Sequence, residues 1–166
     1  MSLEGVIEQV SASSGGLPKQ SLGAAMATRL GLGGDAHAHP KIHGGPAQAL
    51  LLVTVEGIEE LVAAGYALFA GALGENLTVR GLDRRQLRPG MRLLAGGAMI
   101  EITKVRTPCN ALNVYGTGLK AAVYDRRVKA GENQSRRWGL SGFYASVEQE
   151  GWIRAGDKIA VVGPRR

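Results

Sequence analysis

Apolar positions along the chain fall into short runs broken by glycine and proline, and most of these runs have the length and alternation of strands. Leu3 to Val10 reads as an opening strand that ends in the turn-forming Ser11-Ala12-Ser13-Ser14-Gly15-Gly16. Ala24 to Leu30 has helix-like spacing, and Gly31 to Pro46 is too rich in turn formers for regular structure. Ala49 to Val55 is a continuous apolar run that suits a buried strand. Thr54 can cap a following helix with Glu56, Glu59 and Glu60 near its start and Gly65 at its end. Pro89-Gly90 predicts a turn, Met91 to Ala95 a strand, Gly96-Gly97 a tight hairpin, and Ala98 to Arg106 the return strand. Leu119 to Lys129 has helical spacing; Phe143 to Val147 and Lys158 to Val162 read as closing strands. Leu87 to Leu93 echoes Ile153 to Ile159, both encoding a turn into a strand. The pattern predicts a mainly β fold, a closed or nearly closed barrel with a few peripheral helices, as one domain over residues 1–166.

Composition changes this picture little. A chain of 166 residues buries roughly 70% of its unfolded surface and needs no cross-link to fold. The single cysteine, Cys109, excludes an internal disulfide and fits a reducing compartment. No leader-like start is present, and no apolar stretch approaches the roughly 20 residues that span a bilayer. A cytoplasmic protein with no membrane partner is expected.

Charge changes it more. Residues 1–100 hold 8 Lys and Arg against 8 Asp and Glu, while residues 101–166 hold 12 against 6, so the net +6 arises entirely in the second part. Much of it lies between Lys120 and Arg137. Such a stretch suits an anionic partner: phosphate, an acidic protein face or nucleic acid, unless it is simply a solvated face. Aromatic residues are few and no RNP-like pattern interleaves the basic ones, so nucleic acid is not the favoured partner.

Four constellations bear on chemistry. In Ile100 to Cys109, strand alternation places Ile100 and Ile102 on one face with Lys104 and Arg106, a strand running from core into a cationic site. Pro108 restricts the backbone beside the thiol, and neighbouring cations favour the thiolate, which is the metal ligand and the nucleophile. The bland alternative is a buried, inert cysteine. Asp35, His37, His39 and His43 have a zinc-like donor set on a loop, with no cysteine to join them. Gly31-Leu32-Gly33-Gly34-Asp35-Ala36 has the letters of a dinucleotide loop, but the sequence before it reads as helix-like and that after it as a His-Pro loop, where the motif requires a strand and then a helix. Gly139-Leu140-Ser141-Gly142 lacks the spacing of a nucleophile elbow, and nothing specific pairs Cys109 with a histidine base.

Read in order, several of these segments resemble the MOSC family, named for the C-terminal domain of molybdenum cofactor sulfurases. They are Gly15 to Lys19; Gly31 to Asp35 with His43 to Pro46 and Gln48 to Leu50; Gly74-Glu75-Asn76-Leu77 with Gly81-Leu82; Arg106-Thr107-Pro108-Cys109; and Gly142 to Val147 with Gly156-Asp157. The likeness is strongest to small stand-alone bacterial members. It implies a β-barrel-like fold, the molybdenum cofactor (a molybdopterin) as ligand, and Cys109 as either a molybdenum ligand or a carrier of sulfane sulfur. It further implies a reductase acting on N-hydroxylated small molecules, with electrons from a partner reductase, or else a sulfur-transfer module working with a cofactor-biosynthesis protein. No aminotransferase-like domain accompanies the chain, so pyridoxal phosphate is not expected. Cys109 is a soft ligand suited to molybdenum. Lys104, Arg106, Arg136 and Arg137 are candidate counter-charges for the cofactor's phosphate, and His43 and Asn76 candidate hydrogen-bond donors beside it.

Overall fold

A computed structural model describes residues 3–35 and 45–164 of the chain. In chain order its strands are β1 (Glu4–Ala12), β2 (Gln20–Leu22), β3 (Ala24–Thr28), β4 (Gly31–Leu32), β5 (Leu50–Thr54), β6 (Leu77–Arg80), β7 (Met91–Ala95), β8 (Ala98–Val105), β9 (Phe143–Gln149), β10 (Gly151–Arg154) and β11 (Lys158–Pro164). Three short helices, α1 (Val55–Ala63), α2 (Leu119–Val123) and α3 (Arg126–Lys129), lie between them. The order β11-β7-β8-β9-β5-β6-β1 closes through a β11–β1 pairing, so seven strands form a barrel and β2 hangs from β1. A separate small sheet has the order β10-β3-β4. The mainly β barrel expected from the strand spacing is the observed architecture.

Local chemistry explains most of the elements. Ile7 and Val10 both face the core despite sitting three residues apart, because β1 bulges between Ile7 and Gln9. All five residues of β5 are buried: Leu50 and Leu52 face the barrel core, while Val53 joins a second cluster outside it. A strand covered on both faces needs the unbroken apolar run seen in its sequence. Thr54 caps α1 by accepting a hydrogen bond from the Gly57 N–H at 3.1 Å. Gly65, at φ +107°, follows the last turn of that helix. β7 and β8 form the expected hairpin about Gly96 and Gly97. The sequence echo also survives: Gly90 (φ +92°) and Gly156 (φ +94°) each turn the chain into β7 and β11, which pair with one another.

Three expectations fail. The helix-like Ala24 to Leu30 is the strand β3, held between β10 and β4. Alanine permits either state, and cross-strand pairing overrides its helix preference. The helix expected over Leu119 to Lys129 breaks in two at Tyr124, whose extended backbone (φ −155°, ψ 140°) leads to Asp125 as the cap of α3. The common face expected for Ile100, Ile102, Lys104 and Arg106 is split by a register shift between Ile102 and Lys104. Ile100 and Ile102 stay in the core, Val105 packs against it, and Lys104 and Arg106 turn away.

The second apolar cluster lies on the outside of the barrel. Leu73, Leu112, Leu119, Val123 and Leu140 pack there with Val53 and α1, so segments 68–73, 112–123 and 140 share one apolar support. Among the described residues no helix is long and apolar enough to cross a membrane.

Candidate functional site

β8 delivers Arg106 to a position where every neighbouring segment grips it. Its backbone N–H donates to Gly142 O at 2.9 Å, and its carbonyl accepts from Ser141 Oγ at 2.6 Å. Its guanidinium, only 4% exposed, donates through Nη1 to Leu73 O at 2.6 Å and, at the long distance of 3.5 Å, to Ser141 O. Among the described residues Arg106 Nε has no hydrogen-bond partner. A buried cationic N–H without an acceptor costs on the order of a few kcal/mol, so this donor is poised to receive one.

Tyr144 connects this arginine to the thiol. It stands across the β8–β9 ladder from Lys104, whose ammonium lies 5.6 Å from the ring centre. Burial raises the Tyr144 phenol above its ordinary range; a hydrogen bond and charge from Arg106 oppose the shift, and Cys109 adds to it. Tyr144, Arg106 and Cys109 thus form one electrostatic neighbourhood. Cys109 is half-buried after the buried Pro108, and its carbonyl accepts from Leu112 N at 3.2 Å to begin a 3₁₀ turn over Asn110–Tyr115. Lys120 Nζ donates to Asn110 Oδ1 at 2.7 Å, tying α2 to that turn.

Behind Arg106 lies the loop that holds Leu73. Glu75 is fully buried and accepts hydrogen bonds from Gly71 N (3.0 Å), Leu73 N (3.2 Å) and Thr78 Oγ1 (3.0 Å). Burial pushes its carboxyl above the usual range, against those hydrogen bonds and the Arg106 charge. Asn76 is committed to two backbone groups and one buried carboxylate. Its Oδ1 accepts from Leu51 N at 3.0 Å, and its Nδ2 donates to Ser11 O at 3.2 Å and Asp35 Oδ2 at 2.8 Å. Asp35 also pairs with Lys19 Nζ at 2.6 Å and accepts from Ser13 N at 3.0 Å, with side chains 2% and 8% exposed for Asp35 and Lys19.

The structure therefore brings Cys109, Arg106 and Lys104 together around Tyr144. It gives Asn76 a scaffold role just beyond the loop that holds Arg106. Arg136 and Arg137 line a different feature, a cleft of about 460 Å³ bounded by Leu61, Ala122 and Leu140. His37, His39 and His43 lie outside the described residues, and Asp35 reaches Lys19 and Asn76. Among the described residues no cluster of His, Cys, Asp or Glu is set to hold a metal ion. Sequence reasoning missed Tyr144, Ser141 and the structural carboxylate Glu75. In sequence Glu75 stood only as a member of the Gly74-Glu75-Asn76-Leu77 motif, Ser141 only in a segment without the spacing of a nucleophile elbow, and Tyr144 only in the closing-strand segment.

The MOSC domain model matches residues 39–160. The chain belongs to the MOSC family. This MOSC domain is similar to protein YiiM of Escherichia coli strain K12, 36% identical over 97 residues, covering 56% of this chain and 43% of YiiM. It is also similar to YflK of Bacillus subtilis strain 168, 28% identical over 152 residues, covering 90% of this chain and 63% of YflK. The domain thus spans less than two thirds of the length of each relative. Among solved structures, YiiM from Geobacillus stearothermophilus superposes with a TM-score of 0.70 at 23% identity, covering 95% of this chain and 75% of that one. That likeness shows a shared fold, and the family match places the Arg106 to Cys109 segment inside the MOSC region.

Proposed function

We propose that this MOSC domain binds the molybdenum cofactor with the Cys109 thiolate as metal ligand and reduces N-hydroxylated small molecules with electrons from a partner reductase. The observation that carries the reading is the buried Arg106, whose Nε lacks an acceptor in the same electrostatic neighbourhood as a half-exposed thiol. The residues fit the group. A thiolate is a soft ligand apt for molybdenum, and Arg106 and the exposed Lys104 are matched to an anionic pterin phosphate. When bound, the cofactor supplies the two-electron redox chemistry that converts R–NHOH, with two electrons and two protons, to R–NH₂ and water.

The chain's own residues prepare that chemistry. Glu75 fixes the backbone of Gly71 to Leu73, and Leu73 O holds Arg106 in a single orientation. Burial raises the Tyr144 phenol above its ordinary range, and its charge couples to both Arg106 and Cys109. Pro108 and the 3₁₀ turn after Cys109 limit the thiol's freedom without covering it.

The test is elemental analysis for molybdenum with pterin fluorescence, on protein from a cofactor-producing host, beside Cys109→Ala. Near-stoichiometric molybdenum, lost in the variant, is the expected result, followed by hydroxylamine-dependent oxidation of a reduced donor. No molybdenum in the wild type, from a host shown to load a control enzyme, would overturn it. Sulfane sulfur released from Cys109 by thiol reductants would then make the domain a sulfur carrier.

A further inference from the structure

Two segments carry much of this protein's basic charge: residues 83–88 a net +2 and residues 126–137 a net +4. The two segments are distant in sequence, and the fold fastens them together. Arg85 Nη2 donates to Gln134 O at 3.4 Å, and the Arg88 guanidinium lies 5.7 Å from the Trp138 ring centre. Trp138 Nε1 donates back to Leu87 O at 2.9 Å, and Arg84 Nη1 to Trp138 O. Arg84 is buried beneath the junction, whereas Arg85, Arg126, Arg127, Lys129, Arg136 and Arg137 are exposed. The cleft of about 460 Å³ opens among them, lined by Arg127, Arg136 and Arg137 together with the carboxylates of Glu60 and Asp125.

We infer that this face docks the acidic surface of a partner protein. None of the large hydrophobic residues left exposed lies in either segment, which argues against insertion into a lipid surface. Trp138 is buried, so no aromatic ring on the face is open to stack a base. Acids are interspersed with the bases. Glu132 pairs with Arg127 at 2.8 Å, and Asp125, 3.6 Å from Arg137, is held below the usual carboxylate range chiefly by its hydrogen bond from Val128 N. A uniform phosphate backbone has no cations to meet those carboxylates, whereas a protein surface offers its own sparse cations to them. Arg85 and Arg88 are held in place before any partner arrives, which lowers the ordering cost of docking. The face also reaches the candidate site along the chain: shortly after Arg137, Ser141 grips Arg106. This inference does not depend on the cofactor reading.

The test uses the full chain and a fluorescein-labelled peptide of Glu and Asp interspersed with Ser and Lys, followed by anisotropy. The comparison variant is Arg126→Gln/Lys129→Gln/Arg136→Gln, all exposed positions, with an unchanged Tm confirming its fold. Saturable binding is expected that weakens about tenfold between about 50 and about 200 mM NaCl, and about tenfold or more in the variant. Failure of the peptide to bind, or equal affinity in the variant, overturns the inference. So does tighter binding of the wild type to a duplex DNA or to phosphatidylserine vesicles than to the peptide.

Discussion

Replacing Asn76 by alanine separates a scaffold from a ligand-binding role. The amide joins three distant parts of the chain: Leu51 in β5, Ser11 in β1 and Asp35 just after β4. Truncation leaves the buried Leu51 N–H without its acceptor, a cost of about 1 to 3 kcal/mol. It also removes a hydrogen bond to a carboxylate that is 2% exposed, which adds about 1.5 to 3 kcal/mol, partly offset because Lys19 still pairs with Asp35. Together these give a loss of about 3 to 5 kcal/mol, or roughly a 10 °C fall in Tm for a domain of this size. Urea denaturation followed by tryptophan fluorescence measures it, with the slope of the transition expected to stay constant. In the folded variant the rate of Cys109 alkylation should match the wild type. A loss below about 1 kcal/mol, or a several-fold change in alkylation, would refute the scaffold assignment.

Other positions give sharper contrasts. Gly142 sits at φ +101° with an added Cβ only 2.9 Å from Leu52 O, whereas Gly90 has a similar φ of +92° and open space around it. Gly142→Ala should therefore cost about 3 kcal/mol more than Gly90→Ala in the same denaturation experiment, and equal costs would show that the close approach is unimportant. Glu75 supplies a pH signature. Burial raises its folded pKa above the unfolded value of 4.5, so the folded state binds that proton more tightly. Stability contributed at this position must fall as pH rises from that unfolded value through the raised folded one. The wild type's stability relative to Glu75→Gln should thus decline as pH rises above 4.5, and a flat or rising difference would contradict it.

Which parts of the molecule were readable depends on how local their causes are. Thr54 and Gly65 delimit α1 through interactions within a few residues, and Gly96-Gly97 defines the β7–β8 hairpin in the same way. β3 was unreadable because its strand state depends on β10, more than a hundred residues away. The shift after Ile102 was equally hidden, since alternation carries no mark of where the ladder slips. Asp125, by contrast, signals the break between α2 and α3, and helical spacing alone outweighed it. In the candidate site, Arg106 and Cys109 sit close together in one motif and could be chosen from sequence. Ser141 and Tyr144 come from 35 or more positions after Arg106; Tyr144 was legible only as part of a strand-forming segment, and Ser141 only in a glycine-flanked segment without elbow spacing. The basic face was half visible: residues 126–137 declare themselves, but only the Trp138 junction adds residues 83–88 to them.

The closing seam between β1 and β11, where Glu4 pairs with Ala160, has a consequence for how the chain is made. During synthesis β1 emerges well before β11, so the barrel stays open until β11 has left the ribosome. Meanwhile β1 has an unsatisfied edge, able to pair with a neighbouring nascent chain. Slow final closure, dominated by the loop entropy of joining β1 to β11, is expected to limit refolding. Overproduction at high translation rates would then yield aggregates through that edge, and lower temperature or slower expression would favour soluble product.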